Sequence, residues 1–373
     1  LQDQTGHDEF TQSLIENVPL APLTTLGIGG PARYFAKCAS AAALAAGVEW
    51  ARTRDLPIFV LGGGSNIVVA DAGFAGLVLH VAIRGIETLS EGNRITLSAG
   101  AGESWDALVA MCVAREWAGF ECLSGIPGRV GATPIQNVGA YGQETSDTLA
   151  SLEALDLQTG ELVELDASAC EFGYRASRFK SRDRHRFIIT RVTYHLTERG
   201  QPAIRYSELQ RYLSENGASH STLAGVRAAV ITLRQRKAMV IDPSDTDSRS
   251  VGSFFMNPTV TRAEFERLNA IAHRFVRAGE TMPAFPAPDD QMKLSAAWLI
   301  ERAGIARGTA HGNVGTSSKH ALAIINRGGG TARDVMELKE MIQTRVLERF
   351  GVALTPEPVF VGFEEVDVQP PDA

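Results

Sequence analysis

Residues 126–142 read Ile-Pro-Gly-Arg-Val-Gly-Ala-Thr-Pro-Ile-Gln-Asn-Val-Gly-Ala-Tyr-Gly, and no other stretch restricts the fold so strongly. Glycines stand at 128, 131, 139 and 142, prolines at 127 and 134, and Arg129 is the one charge. Neither a helical nor a strand period runs through it. Glycine permits positive φ and close backbone approach, and proline fixes φ. Such a segment can lay a run of backbone N–H groups against an anion. Gln136 and Asn137 add side-chain donors and acceptors in a nearly uncharged setting. Read alone, it is equally a long surface loop.

A second stretch narrows the choice. Ile58-Phe-Val-Leu61 reads as a buried strand, and Gly62-Gly-Gly-Ser-Asn66 follows at once. A short apolar run ending in glycines suits a turn that cradles phosphate. Thr24-Thr-Leu-Gly-Ile-Gly-Gly30 formally fits G-x-G-x-x-A through Gly27, Gly29 and Ala32. Pro19 and Pro22 spoil the strand that a dinucleotide fingerprint needs before it, so this match is set aside.

At 373 residues the chain has room for two or three domains. Lys and Arg number 36 against 43 Asp and Glu, a net charge of −7, which argues against a nucleic-acid binder. No apolar run approaches a membrane span. Residues 1–18 are polar and acidic with no secretory apolar stretch, so a cytoplasmic protein is expected. Cys38, Cys112, Cys122 and Cys170 form no C-x-x-C pair and read as reduced, buried thiols. The histidines are scattered, and no metal site is expected.

Helices are expected at 41–54 (with Ser40 as N-cap), 103–115, 224–239, 262–277, 293–303 and 331–350. The last has Thr331 and Asp334 as a capping box, Val335, Leu338, Ile342 and Val346 on one face, and Gly351 as its stop. Strands are expected at 77–81, 95–99 and 186–196, with a hairpin over 152–165. The mixed order predicts an α+β fold.

Three short motifs carry candidate chemistry. Phe172-Gly-Tyr-Arg175 opens a basic run, and arginine matches carboxylate and phosphate geometry. Val251-Gly-Ser-Phe-Phe-Met-Asn-Pro258 places one hydroxyl, Ser253, between a glycine and two aromatics. Thr355-Pro-Glu-Pro358 holds Glu357 between prolines; an isolated loop Glu is ordinarily solvated.

In combination these strings resemble the UDP-N-acetylenolpyruvoylglucosamine reductase family, one of the vanillyl-alcohol-oxidase-like (PCMH-type) FAD proteins. The resemblance runs from about residue 23 to about 362. It implies a two-part FAD-binding region plus a separate α+β substrate-binding domain. The parts are expected at 20–80 (joined by 350–363), 81–210 and 220–335, with 1–18 and 364–373 as disordered tails. Non-covalent FAD is implied, bound by Gly62, Gly63, Gly64, Ser65, Asn66, Pro127, Gly128, Gly131, Ala132, Gln136, Asn137, Gly139, Ala140 and Tyr141. NADPH is the implied co-substrate and a UDP-sugar the implied small-molecule partner, with no obligate protein partner.

By the same resemblance Arg175, Ser253 and Glu357 are catalytic. Tyr206, Arg234, Lys237 and Asn257 contact the substrate, Tyr206 matching a loop that closes over the diphosphate in one subclass. The implied reaction reduces an enolpyruvyl ether to UDP-N-acetylmuramate for peptidoglycan. Hydride goes from flavin N5 to C3, a proton goes from Ser253 to C2, and Arg175 and Glu357 stabilise the enolate-like charge. The chain departs from the pattern at Val359, where many members carry a basic residue. Two other readings stay open: a related flavoenzyme with covalent FAD, and a UDP-sugar-binding protein without flavin. No His or Cys that could attach flavin covalently lies in 62–66 or 126–142.

Overall fold

The computed structural model describes residues 10–216, 222–272, 275 and 281–363. Contacts divide the chain into two compact units. The first holds 32–64 and 75–241 with the N-terminal segment, and the second holds 19–31, 65–74 and the chain from 242 on. Helix Leu223–Arg236 packs within the first unit, where Arg227 meets both carboxylate oxygens of Asp106 at 2.6 and 2.9 Å. The boundary at 64/65 falls inside the glycine turn itself.

In the first unit, a four-stranded sheet runs Ile15–Pro19, Pro31–Cys38, Phe74–Val81, Ile58–Leu61. The last two strands are parallel, with Leu61 opposite His80. A second, antiparallel sheet runs Leu162–Asp166, Leu149–Asp156, Phe187–Glu198, Arg94–Gly100, Ile86–Glu91. Leu152 lies opposite Leu165 in the expected hairpin, and Gly160 turns it with φ 77°. Helices Ala41–Arg52 and Trp105–Ala114 join these sheets in one core around Leu77, Leu79, Trp105, Phe120 and Tyr194. Ser40 caps the first helix by accepting Ala43 N–H.

The N-terminal expectation needs correction from Phe10 on. Phe10 is buried beside the Trp50 ring at 6.3 Å, and Ile15–Pro19 forms the sheet edge. The polar sequence hid one apolar anchor and a strand whose pairing is supplied by its neighbour. Residues 1–9 and 364–373 lie outside the described residues.

In the second unit, helix Ala332–Phe350 buries Val335, Leu338, Ile342 and Val346 as its period predicts. Its capping box is present, Asp71 accepts the Ala332 and Arg333 N–H groups at 2.7 and 3.1 Å, and Gly351 ends it at φ 69°. Val359–Val361 pairs in parallel with Ile67–Val69. The helix expected at 293–303 starts later. Gln291–Leu294 is a strand between Thr259–Thr261 and Ala284–Ala287, and the helix spans Ala296–Arg302 behind its N-cap Ser295. The helix expected at 262–277 is described as Arg262–Ala272, with most of the remainder outside the described residues.

Candidate active site

The two glycine-rich stretches meet inside the first unit. A Cβ on Gly63 would stand 2.7 Å from Gly128 Cα, so the turns cross backbone to backbone there. Beside the crossing, a Cβ on Gly62 would lie 3.9 Å from Ala132 Cβ. Trp105 N–H donates to Gly128 O at 3.2 Å, and Val130 N–H to Glu103 O at 3.0 Å, which fixes the second turn. The N–H groups of Gly63 and Gly128 donate to nothing among the described residues. A tight, glycine-walled crossing with unpaired N–H groups fits the diphosphate of a dinucleotide. At Gly131 a Cβ would meet Ala101 Cβ at 2.5 Å, so close packing there requires glycine.

Further along, the second stretch is tied down by the Arg175 loop. Arg175 donates to Gly139 O at 2.6 Å, and Ser177 Oγ to Ile135 O at 2.6 Å. Lys180 reaches Gln136 Oε1 at 3.5 Å. Gly139–Ala140 pairs antiparallel with Gln143–Glu144. Asn137, Tyr141 and Arg175 all adopt left-handed backbone, with φ of 45°, 48° and 54°. Three such non-glycine residues close together mark a segment held in shape by its surroundings. Asn137 is buried, and its amide is engaged by Glu144 Oε2 at 2.7 Å, Gly173 O at 3.1 Å and Ser146 N at 3.0 Å. Its side chain therefore shapes the loop from within, and its backbone N–H reaches Pro134 O at 3.4 Å.

Tyr206, Arg234 and Lys237 cluster in the same unit. The Tyr206 ring stands edge-on to Tyr141 at 5.6 Å, and Lys237 Nζ lies 5.9 Å from the Tyr141 centroid. Burial, with help from the Glu208 carboxylate, holds both phenols above their usual range. Lys237 pairs with Glu208 at 2.7 Å. Arg234 is half-buried and donates to Met239 O at 2.8 Å, while its enclosed Nε has no partner among the described residues. Burial lowers its pKa; Tyr141 and Asp106 oppose that, and Arg175 adds repulsion.

Sequence reading missed Glu121. It is 1% exposed, yet its carboxylate takes Gln143 Nε2 at 2.9 Å, Ala203 N at 2.7 Å and Gly119 N at 2.9 Å. It thereby ties the end of the 126–142 loop to the segment leading into Tyr206. The available signal was a lone carboxylate in the apolar string Phe120-Glu-Cys-Leu123, a group that must be paired if buried.

The second unit brings Ser253 and Glu357 together despite their separation in the chain. Glu357 N–H donates to Phe254 O at 2.9 Å, Met256 N–H to Thr355 O at 3.0 Å, and Phe255 bridges Pro356. Val359 N–H donates to Asn66 O at 3.0 Å, and Asn66 Nδ2 to Glu357 O at 3.4 Å, so the Ser65–Asn66 end of the first glycine turn abuts the same strand. Ser253 follows Gly252 (φ 78°), and its hydroxyl makes no hydrogen bond among the described residues. Asn257 Oδ1 accepts Ala296 N–H at 3.0 Å at the start of a helix. The cysteines are buried and unpaired, with burial raising Cys38, Cys112 and Cys122 to about 12. No helix among the described residues is long and apolar enough to cross a membrane.

Residues 32–166 match the model of an FAD binding domain, which defines the chain as a flavoprotein of that fold. Residues 242–361 match the C-terminal domain of UDP-N-acetylenolpyruvoylglucosamine reductase. The reductase of that name from Thermobifida fusca is 46% identical over 355 residues, covering 95% of this chain and 99% of the relative. That from Streptomyces coelicolor is 43% identical, covering 93% and 90%. The crystal structure of the Thermus caldophilus enzyme aligns with TM-score 0.62 at 25% identity, covering 93% of this chain and 98% of that one. The chain belongs to the UDP-N-acetylenolpyruvoylglucosamine reductase family.

Proposed function

We propose that this chain reduces the enolpyruvyl ether of UDP-N-acetylenolpyruvoylglucosamine to UDP-N-acetylmuramate, a cytoplasmic step in peptidoglycan precursor synthesis with NADPH as the electron source. The observation that carries the reading is the Glu357 N–H to Phe254 O bond at 2.9 Å, which sets the only acid of the Pro-Glu-Pro string beside the Ser253 segment. When bound, FAD supplies the two-electron hydride chemistry that no side chain offers. Gly62, Gly63, Gly64, Ser65 and Asn66, with Pro127, Gly128, Ala132, Gln136, Gly139, Ala140 and Tyr141, would hold it. Arg175 holds the substrate carboxylate as negative charge builds on it. Glu357 shares a proton or hydrogen bond at that carboxylate. Ser253 Oγ delivers the proton to C2.

A spectrum of the purified protein, followed by anaerobic stopped flow, tests the reading. Acid-extractable FAD, bleached by NADPH and restored by the enolpyruvyl sugar, is expected. Covalently attached flavin, or none, contradicts it.

Tyr206, Arg234, Lys237 and Asn257 are assigned to the UDP-sugar. Lys237 is already charge-paired with Glu208, so its role requires a diphosphate to compete for or share that ammonium. Tyr206→Phe and Lys237→Ala are expected to weaken UDP-sugar binding by roughly 10-fold or more, as for a lost charge-assisted hydrogen bond, with flavin reduction by NADPH little changed. Calorimetric titration with the UDP-sugar reads this directly. Wild-type affinity in both variants removes these residues from the substrate site.

A further inference from the structure

The second glycine stretch carries a charge to which the functional reading gives no task. Arg129 lies beside the crossing of the two turns: a Cβ on Gly62 would stand 3.9 Å from Arg129 Cβ. The guanidinium is half-buried, and among the described residues no carboxylate or carbonyl takes it. The nearby Glu103 carboxylate is engaged elsewhere, by Arg84 at 3.0 Å and by Gly85 N–H at 2.9 Å. His80 lies opposite Leu61, which immediately precedes Gly62. Its pKa is lowered by burial first and then by Arg129, Lys37 and Arg84. Arg129 is itself lowered by burial and by Arg84, with Glu103 opposing. Arg129, Lys37 and Arg84 thus act together on His80 and favour its neutral form, while the Glu103 carboxylate is committed to Arg84 and Gly85. A half-buried, unpaired guanidinium is costly unless an anion meets it.

The N–H groups of Gly63, Gly128 and Arg129 also lack acceptors among the described residues. Backbone donors and a fork-shaped cation at one crossing form the recognition set for a bound diphosphate. We propose that Arg129 is the cationic contact for the FAD diphosphate, working with the backbone N–H groups of Gly63 and Gly128. This rests on the flavoenzyme reading above and adds a residue that the motif comparison had left out. Arg84, held by Glu103, and Lys37 lend charge at longer range.

The test uses the full chain, stripped of flavin and titrated by fluorescence with FAD and separately with riboflavin, which has no phosphate. Arg129→Gln is expected to weaken FAD roughly 10- to 100-fold, the range for a hydrogen bond to a charged group, and to leave riboflavin unchanged. Arg129→Lys, which keeps the charge, is expected to recover much of the loss. An unchanged thermal midpoint of the stripped variant excludes a folding defect. Wild-type FAD affinity in Arg129→Gln overturns the assignment. So does an equal loss for FAD and riboflavin, or a loss confined to reduction by NADPH. If the wild-type chain takes up no FAD, the flavoenzyme reading fails and this assignment falls with it. If it does and Arg129→Gln is indifferent, this assignment alone fails.

Discussion

Ser253→Ala is expected to leave reduction of the flavin by NADPH near its normal rate and to slow reoxidation by the enolpyruvyl substrate roughly 100- to 10,000-fold. The expectation rests on how the hydroxyl is held. Phe254 and Phe255 follow it and are buried. Phe254 N–H donates to Leu322 O at 2.8 Å, and its carbonyl takes Glu357 N–H at 2.9 Å. The backbone under Ser253 is therefore fixed, while the hydroxyl keeps no partner among the described residues. Removing one oxygen should not disturb that frame, so a kinetic loss would report the lost proton and not a lost fold. Ser253→Cys keeps a donor at the same position and should retain part of the activity. Rapid mixing of the NADPH-reduced enzyme with substrate separates the two half-reactions. An unchanged reoxidation rate in Ser253→Ala would leave the proton source elsewhere.

What the sequence made legible depended on whether a segment's shape is set locally. Helix Ala332–Phe350 carries its own cap, apolar face and glycine stop, and it forms as read. Residues 291–294 show the limit. Met292 and Leu294 are buried alternately with Gln291 and Lys293, a period of two too short to outweigh the helical run after it. The neighbours decide the matter: Ala284–Ala287 across a short turn and Thr259–Thr261 from far back in the chain. The 126–142 loop has no period at all, because its shape comes from Trp105, Gly173 and Ser177 gripping its backbone and amide. Its composition allowed a ligand loop and a long surface loop equally. The candidate site was legible as motifs, but the work of individual side chains was not. Asn137 faces into its own loop, and Glu121 is a buried clamp that no motif named. Val359, where the family often has a base, sits in the strand pairing opposite Ile67.

Glu357→Gln should bind FAD and accept electrons from NADPH as the wild type does, yet reoxidise with substrate roughly 100-fold or more slowly. Gln keeps the shape and the hydrogen-bonding reach of Glu but cannot give up or take a proton. The backbone that presents residue 357 is held from both sides, by Phe254 O at 2.9 Å through its N–H and by Asn66 Nδ2 at 3.4 Å through its carbonyl. The substitution therefore leaves the bracing of Ser253 and of the glycine turn intact. Because the two residues share one backbone junction and both are assigned to the same enolate-like species in one step, their losses should not add. The double variant Ser253→Ala, Glu357→Gln is expected to reoxidise about as slowly as the worse single variant, the behaviour of groups that act as a unit. Losses that multiply would mean that Glu357 acts on a different step from Ser253. A Glu357→Gln enzyme that turns over at the wild-type rate would remove the carboxylate from the chemistry, leaving Arg175 alone to stabilise the developing charge.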